Sequence, residues 1–139
     1  MSKGLAISLA LALTLSGGQI VAADEDTKAA VKAADSWLAV VDKGEYKKSW
    51  DDAAAYFKQS INAPGWESAL KKTRVPLGKV ISRRLKSTEA TTVMPGAPDG
   101  HYVIVQYKTT FEHKQSGLEK VIPMKEKDGS WKVSGYFIY

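Results

Sequence analysis

The stretch Trp37-Leu38-Ala39-Val40-Val41-Asp42-Lys43-Gly44-Glu45-Tyr46-Lys47-Lys48-Ser49-Trp50 decides the fold, because it encodes one helix, a glycine break and the start of a second helix. Upstream, Ala30, Ala34, Trp37 or Leu38, and Val41 recur at helical spacing, and Gly44 stands where a left-handed residue ends a helix. The spacing predicts a first helix over residues 27–43. Downstream, Tyr46, Trp50, Ala53, Phe57 and Ile61 form one apolar stripe, which predicts a second amphipathic helix folded back on the first after almost no loop. Pro64 suits a first helical position, and Trp66, Ala69 and Leu70 supply a short third helix that Pro76 and Gly78 close.

From Lys79 the chain changes character, with β-branched and aromatic residues divided by turn formers into four segments that read as strands. The boundaries are Pro95-Gly96-Ala97-Pro98-Asp99-Gly100, the stretch His113 to Gly117, and Lys127-Asp128-Gly129-Ser130, whose Asp-Gly pair favours a tight hairpin. Hairpin connections make the sheet antiparallel. Val103, Val105, Tyr107 and Phe111 share one face while Gln106, Lys108 and Thr110 share the other, and Trp131, Val133, Phe137 and Tyr139 alternate in the same way. Pro123 cannot donate to a ladder, so the third strand is either an edge there or carries a bulge.

Helices followed by strands give an α+β domain: N-terminal helices, two long and one short, packed on one face of a curved four-stranded antiparallel sheet. That order, with the Gly44-Glu45-Tyr46 junction and the closing Gly129-Ser130-Trp131-Lys132-Val133-Ser134-Gly135-Tyr136, resembles the nuclear-transport-factor-2-like (cystatin-like) cone. A narrower resemblance rests on four motifs in order. These are Trp37 to Trp50, Arg74-Val75-Pro76-Leu77-Gly78 with Ser82-Arg83-Arg84-Leu85-Lys86, the 95–100 turn, and Asp128-Gly129 to Tyr136. Together they are similar to the bacterial domain-of-unknown-function 4019 family across nearly the whole mature chain. That resemblance implies an exported protein and this architecture; it assigns no catalytic residue.

Residues 1–23 read as a secretory signal peptide: Lys3 supplies the positive start, Leu5 to Leu15 the apolar stretch, and Val21-Ala22-Ala23 the small-residue cleavage site. The expectation is cleavage after Ala23, a periplasmic or secreted product, and a single domain over residues 24–139. The apolar run is broken by Ser16, Gly17, Gly18 and Gln19 and falls short of the ~20 residues of a membrane span. The mature form is therefore expected to have no span. The chain has no cysteine, which removes disulfides, thiolate metal sites, cysteine nucleophiles and a lipidated mature N-terminus. Loss of Lys3 leaves 19 Lys+Arg against 15 Asp+Glu, a net charge of +4, and no recognition motif accompanies it, so no nucleic-acid partner is expected.

The ligand-pocket candidates are Trp37, Tyr46, Trp50, Phe57 and Trp66, which lie on inward helix faces, and Arg83 and Arg84. Aromatic stripes at helical spacing are also what a core requires, and the core reading outweighs the pocket reading. Consecutive Arg83 and Arg84 on a strand face opposite sides, so one guanidinium turns toward the helices, where it clamps an anionic ligand or pairs with a helix acid. His101 and His113 lack metal-ligand spacing, so no metal and no cofactor are expected. Asp42, Asp51, Asp52, Tyr46 and Tyr56 are the groups available for proton transfer, but Asp51 and Asp52 diverge around the helix and no strand supplies an inward acid. No catalytic residue is assigned. The expected function is non-catalytic binding of a small molecule or an envelope protein partner. The alternative is a cone-fold enzyme performing proton transfer or dehydration between helices and sheet, and pairing of sheets into a homodimer is a third role.

Overall fold

A computed structural model describes residues 7–139, with side chains from Asp24 onward. Residues 1–6 and the side chains of residues 7–23, on which the export signal is read, lie outside the described residues. The chain runs α1 (Ile7–Asp42), α2 (Tyr46–Asp51), α3 (Ala55–Ser60), α4 (Ala63–Thr73), a 3-10 turn at Val75–Leu77, then β1 (Val80–Thr91), β2 (Tyr102–Phe111), β3 (Lys114–Lys125) and β4 (Trp131–Ile138). The strands lie in the order β1-β2-β3-β4, each antiparallel to its neighbour. Bulges in all three pairings bend the sheet, and the helices lie on one face of it. Among the described residues no helix is long and apolar enough to cross a membrane.

Helix α1 stops where Gly44 adopts φ +77°, a conformation that costs glycine nothing. The amide of Gly44 bonds to the Val41 carbonyl and that of Glu45 to the Val40 carbonyl, which satisfies the last carbonyls of the helix and turns the chain straight into α2. The single second helix expected over Tyr46 to Ile61 is instead two six-residue helices. The break falls at Ala53-Ala54. Ala54 is extended, and its amide donates 2.8 Å to the Val133 carbonyl of β4 rather than into a helix. Only small side chains allow a helix backbone to approach a strand this closely, and Ala53 and Ala54 are both fully buried. Helix α4 follows with Asn62 capping its start by accepting from the Gly65 amide at 2.8 Å.

Two strand features depart from the expected phase. The β2–β3 turn is only Glu112-His113, so the segment expected as a turn over residues 113–117 belongs to β3. Gly117 then lies inside the ladder opposite Thr109, where an added Cβ would sit 2.8 Å from the Thr109 carbonyl oxygen and 2.9 Å from the Phe111 ring. Gly117→Ala is expected to cost about 1–3 kcal/mol in urea unfolding, as overpacking does; an unchanged midpoint would contradict this placement. In β4, Ser134 and Gly135 lie between the pairs Val121–Tyr136 and Pro123–Val133, opposite Ile122 alone. This bulge reverses the alternation after Val133. Tyr136 therefore faces the helices, while Phe137 (48% exposed) and Tyr139 (58% exposed) do not, a correction to the expected alternation. Pro123 sits at the β3 side of the same bulge in an internal strand.

Helix α1 packs Ala30, Ala34, Trp37, Leu38 and Val41 onto Val103, Val105, Tyr107, Val121 and Val133. It lies over β2, β3 and β4 and barely reaches β1, whose residues are mostly exposed.

Candidate functional site

The aromatic candidates divide into a packed group and two flanking residues. Trp37 and Trp66 lie with ring centroids 6.1 Å apart, Phe57 meets Trp66 edge-on at 4.8 Å, and Tyr136 meets Trp37 edge-on at 5.3 Å. Their indole N–H groups are already used inside the fold. Trp37 donates to the Ser49 carbonyl at 2.8 Å and Trp66 to the Ser49 hydroxyl at 2.9 Å, so the buried Ser49 joins α1, α2 and α4. Trp50 is half-buried and donates to the Ile61 carbonyl at 2.8 Å; Tyr46 is half-buried beside the same core. These side chains fill the space between helices and sheet.

Arg83 and Arg84 separate as strand geometry requires. Arg84 is exposed on the outer face of the sheet, and Arg83 turns toward the helices. Arg83 sits between two carboxylates. Its Nη1 and Nη2 donate to the two oxygens of Asp42 at the end of α1, at 2.7 and 3.0 Å. Its Nε and Nη2 donate to the two oxygens of Glu119 on β3, at 2.7 and 3.2 Å. Glu119 is fully buried and accepts two further bonds, from Thr109 Oγ1 at 2.5 Å and from the Tyr136 hydroxyl. Asp42 also accepts from Arg74 Nη2 at 3.4 Å, and Arg74 lies over the Phe111 ring at 4.8 Å and donates 2.5 Å to the Gly78 carbonyl. A strand therefore does supply an inward acid, contrary to the sequence expectation.

The electrostatics of this cluster favour permanence over proton transfer. Burial works against the charge on Arg83, but hydrogen bonds to Asp42 and Glu119 outweigh it and raise its pKa further. Burial raises the pKa of the Tyr136 hydroxyl, and the neighbouring Glu119 charge and hydrogen bond raise it again. Tyr107 behaves alike, raised by burial and then by its 2.5 Å bond to Asp35 on α1. Both tyrosines thus hold their protons more tightly folded than unfolded, so their stabilising effect is complete below their ordinary value of 10.0 and is lost as pH rises beyond it. Tm is expected to be insensitive to these groups from neutrality to about pH 9 and to fall above about pH 10, together with the appearance of tyrosinate absorbance. Tyrosinate appearing for all six tyrosines near pH 10, with no loss of Tm, would contradict this.

The remaining acid candidates lie outside the core. Asp51 and Asp52 pair with Lys47 and Lys48 one turn earlier on exposed faces of α2, an arrangement of small energetic weight. The Tyr56 hydroxyl donates 2.7 Å to the Gly96 carbonyl and ties α3 to the 95–100 turn. Among the described residues no three His, Asp or Glu side chains converge as metal ligands would.

The depression that combines apolar floor and polar rim lies between α1 and the edge strand β1. Two adjoining hollows of about 430 and 360 Å³ share Val31, Asp35 and Leu85. Lys28 and Lys32 rim one hollow; Leu38, Arg83 and Tyr107 line the other. Leu85 is 50% exposed although it faces the helix layer, because α1 passes to one side of it. Of the seven sequence candidates only Arg83 borders this cleft. Asp35, Tyr107 and Leu85 were not singled out as site residues from sequence, since none stands out as one until β1 is placed at the edge beside α1.

The family profile described as "Protein of unknown function (DUF4019)" matches residues 33–136. No curated protein matches the chain.

Proposed function

The chain belongs to the DUF4019 family of proteins of unknown function, and from that premise we propose that it is an exported, non-catalytic binding domain of the nuclear-transport-factor-2-like cone type, taking an amphipathic carboxylate in the α1–β1 cleft. Export is supported by the positively charged, apolar and small-residue segments of residues 1–23. The cone architecture is supported by the order of helices and strands and by the bulged sheet behind α1. The observation that carries the binding reading is the uncovered apolar surface of Leu85 and the half-buried Val31 inside the cleft, over a floor that includes the buried Leu38 and next to the lysines of its rim. An acyl chain laid along that surface would put its head group within reach of Lys28 and Lys32, neither of which forms an ion pair among the described residues.

Binding is favoured over proton transfer because Glu119 already accepts four hydrogen bonds and Asp35 is held by Tyr107, so neither offers a free base. The aromatic candidates Trp37, Tyr46, Trp50, Phe57 and Trp66 then belong to the core and its flank and do not line the cleft. The test is a titration of the purified protein with straight-chain carboxylates of increasing length, followed by thermal shift and amide NMR. Binding should raise Tm and move amides of residues 28–38 and 83–88, with Leu85→Glu abolishing both effects. No response at any chain length would overturn the reading.

A further inference from the structure

The face of the sheet opposite the helices carries a second hollow, of about 680 Å³, running over β1, β2 and β3. Arg84 of β1 stands directly opposite Lys108 of β2 in the ladder, and Lys86 follows at the bulge between Leu85 and Ser87. All three are exposed, and Lys108 is the one exposed residue of β2. Like charges directly opposed on neighbouring strands repel. Nothing in the fold relieves that repulsion: the groove lining contains no Asp or Glu, and none of the three cations forms an ion pair among the described residues. Arg83, one residue away, is by contrast held by two carboxylates, Asp42 and Glu119, on the other face. Between the cations the groove offers neutral hydrogen-bonding groups, Thr110, Gln115 and Ser116.

We propose that this groove is an oxyanion site that takes the phosphate ester group of an anionic ligand. A guanidinium and two ammonium groups lining one hollow put three positive charges with no acid beside them, which favours a phosphate group, and the planar fork of Arg84 can hold two of its oxygens at once. Bound phosphate would also remove the repulsion between Arg84 and Lys108, so the ligand stabilises the sheet it sits on. The site lies on the face away from the α1–β1 cleft and does not depend on what that cleft binds.

The phosphate group can come from a soluble ester or from a lipid headgroup, and two probes separate these sources. Inorganic pyrophosphate is titrated into the purified protein by amide NMR, and vesicles of phosphatidylglycerol or of phosphatidylcholine are tested by co-sedimentation. Pyrophosphate moving amides of residues 84–86, 108–110 and 115–117 supports the site with a soluble ligand. Co-sedimentation with phosphatidylglycerol alone supports it with a headgroup, and both together support either source. In each case Arg84→Gln with Lys108→Gln should weaken binding about a hundredfold, tenfold for each charge, and should leave Tm unchanged or higher because the opposed charges are gone. Binding by neither probe, or binding that survives the double substitution, would overturn the proposal.

Discussion

Replacing Glu119 by alanine is expected to lower the stability of the protein by about 3–5 kcal/mol, because Arg83 keeps only Asp42 of its two carboxylates and the Thr109 and Tyr136 hydroxyls lose their acceptor. Glu119 is completely enclosed, and its carboxylate is the meeting point of β1, β2 and β4 through Arg83, Thr109 and Tyr136. Its removal strands three donors at once, and a small domain has only about 5–15 kcal/mol to lose. Glu119→Gln keeps the shape and two acceptor lone pairs but not the charge, so its loss should be smaller, about 1–3 kcal/mol. Urea unfolding with an unchanged m-value checks both. Equal stability of Glu119→Ala and the unaltered protein would mean that the cluster contributes nothing to the fold.

Trp66→Ala is the second large loss, also about 3–5 kcal/mol, because it opens a large cavity in the buried core. The indole is wedged between Trp37 and Phe57, and its N–H group satisfies the buried Ser49 hydroxyl. Trp50→Ala should cost clearly less, since that ring is only half-buried and its far side meets Lys58. Comparing the two by chemical denaturation separates a core role from a rim role among residues that look alike in sequence. A larger loss at Trp50 would place the core elsewhere.

Much of the helical layer was legible because its signals are local. Gly44 with its positive φ, and the stripe from Ala30 to Val41, act within a few residues of themselves. The break at Ala53-Ala54 was not legible: its cause is a hydrogen bond to Val133, a partner far along the chain, and alanine is otherwise the best helix former. The strand phase failed for a related reason. Reading residues 113–117 as a turn began β3 too late, which hid the alternation Gly117, Glu119, Val121 on the helix side of the sheet. An isolated glutamate also reads as surface until its cation is known. Arg83 was singled out with two outcomes open, and the helix acid it meets is Asp42, a residue named from sequence among the groups available for proton transfer. The edge cleft was illegible altogether, because it depends on how far α1 reaches across the sheet.

The most direct test of a structural charge cluster beside an open binding cleft is a double-mutant cycle on Arg83→Met and Glu119→Gln, measured by urea unfolding. The geometry predicts that the two losses overlap, with a coupling of about 2 kcal/mol or more, and that carboxylate binding in the cleft persists in the double variant. Losses that add to within about 0.5 kcal/mol, or carboxylate binding that disappears with Arg83 while the fold survives, would contradict it.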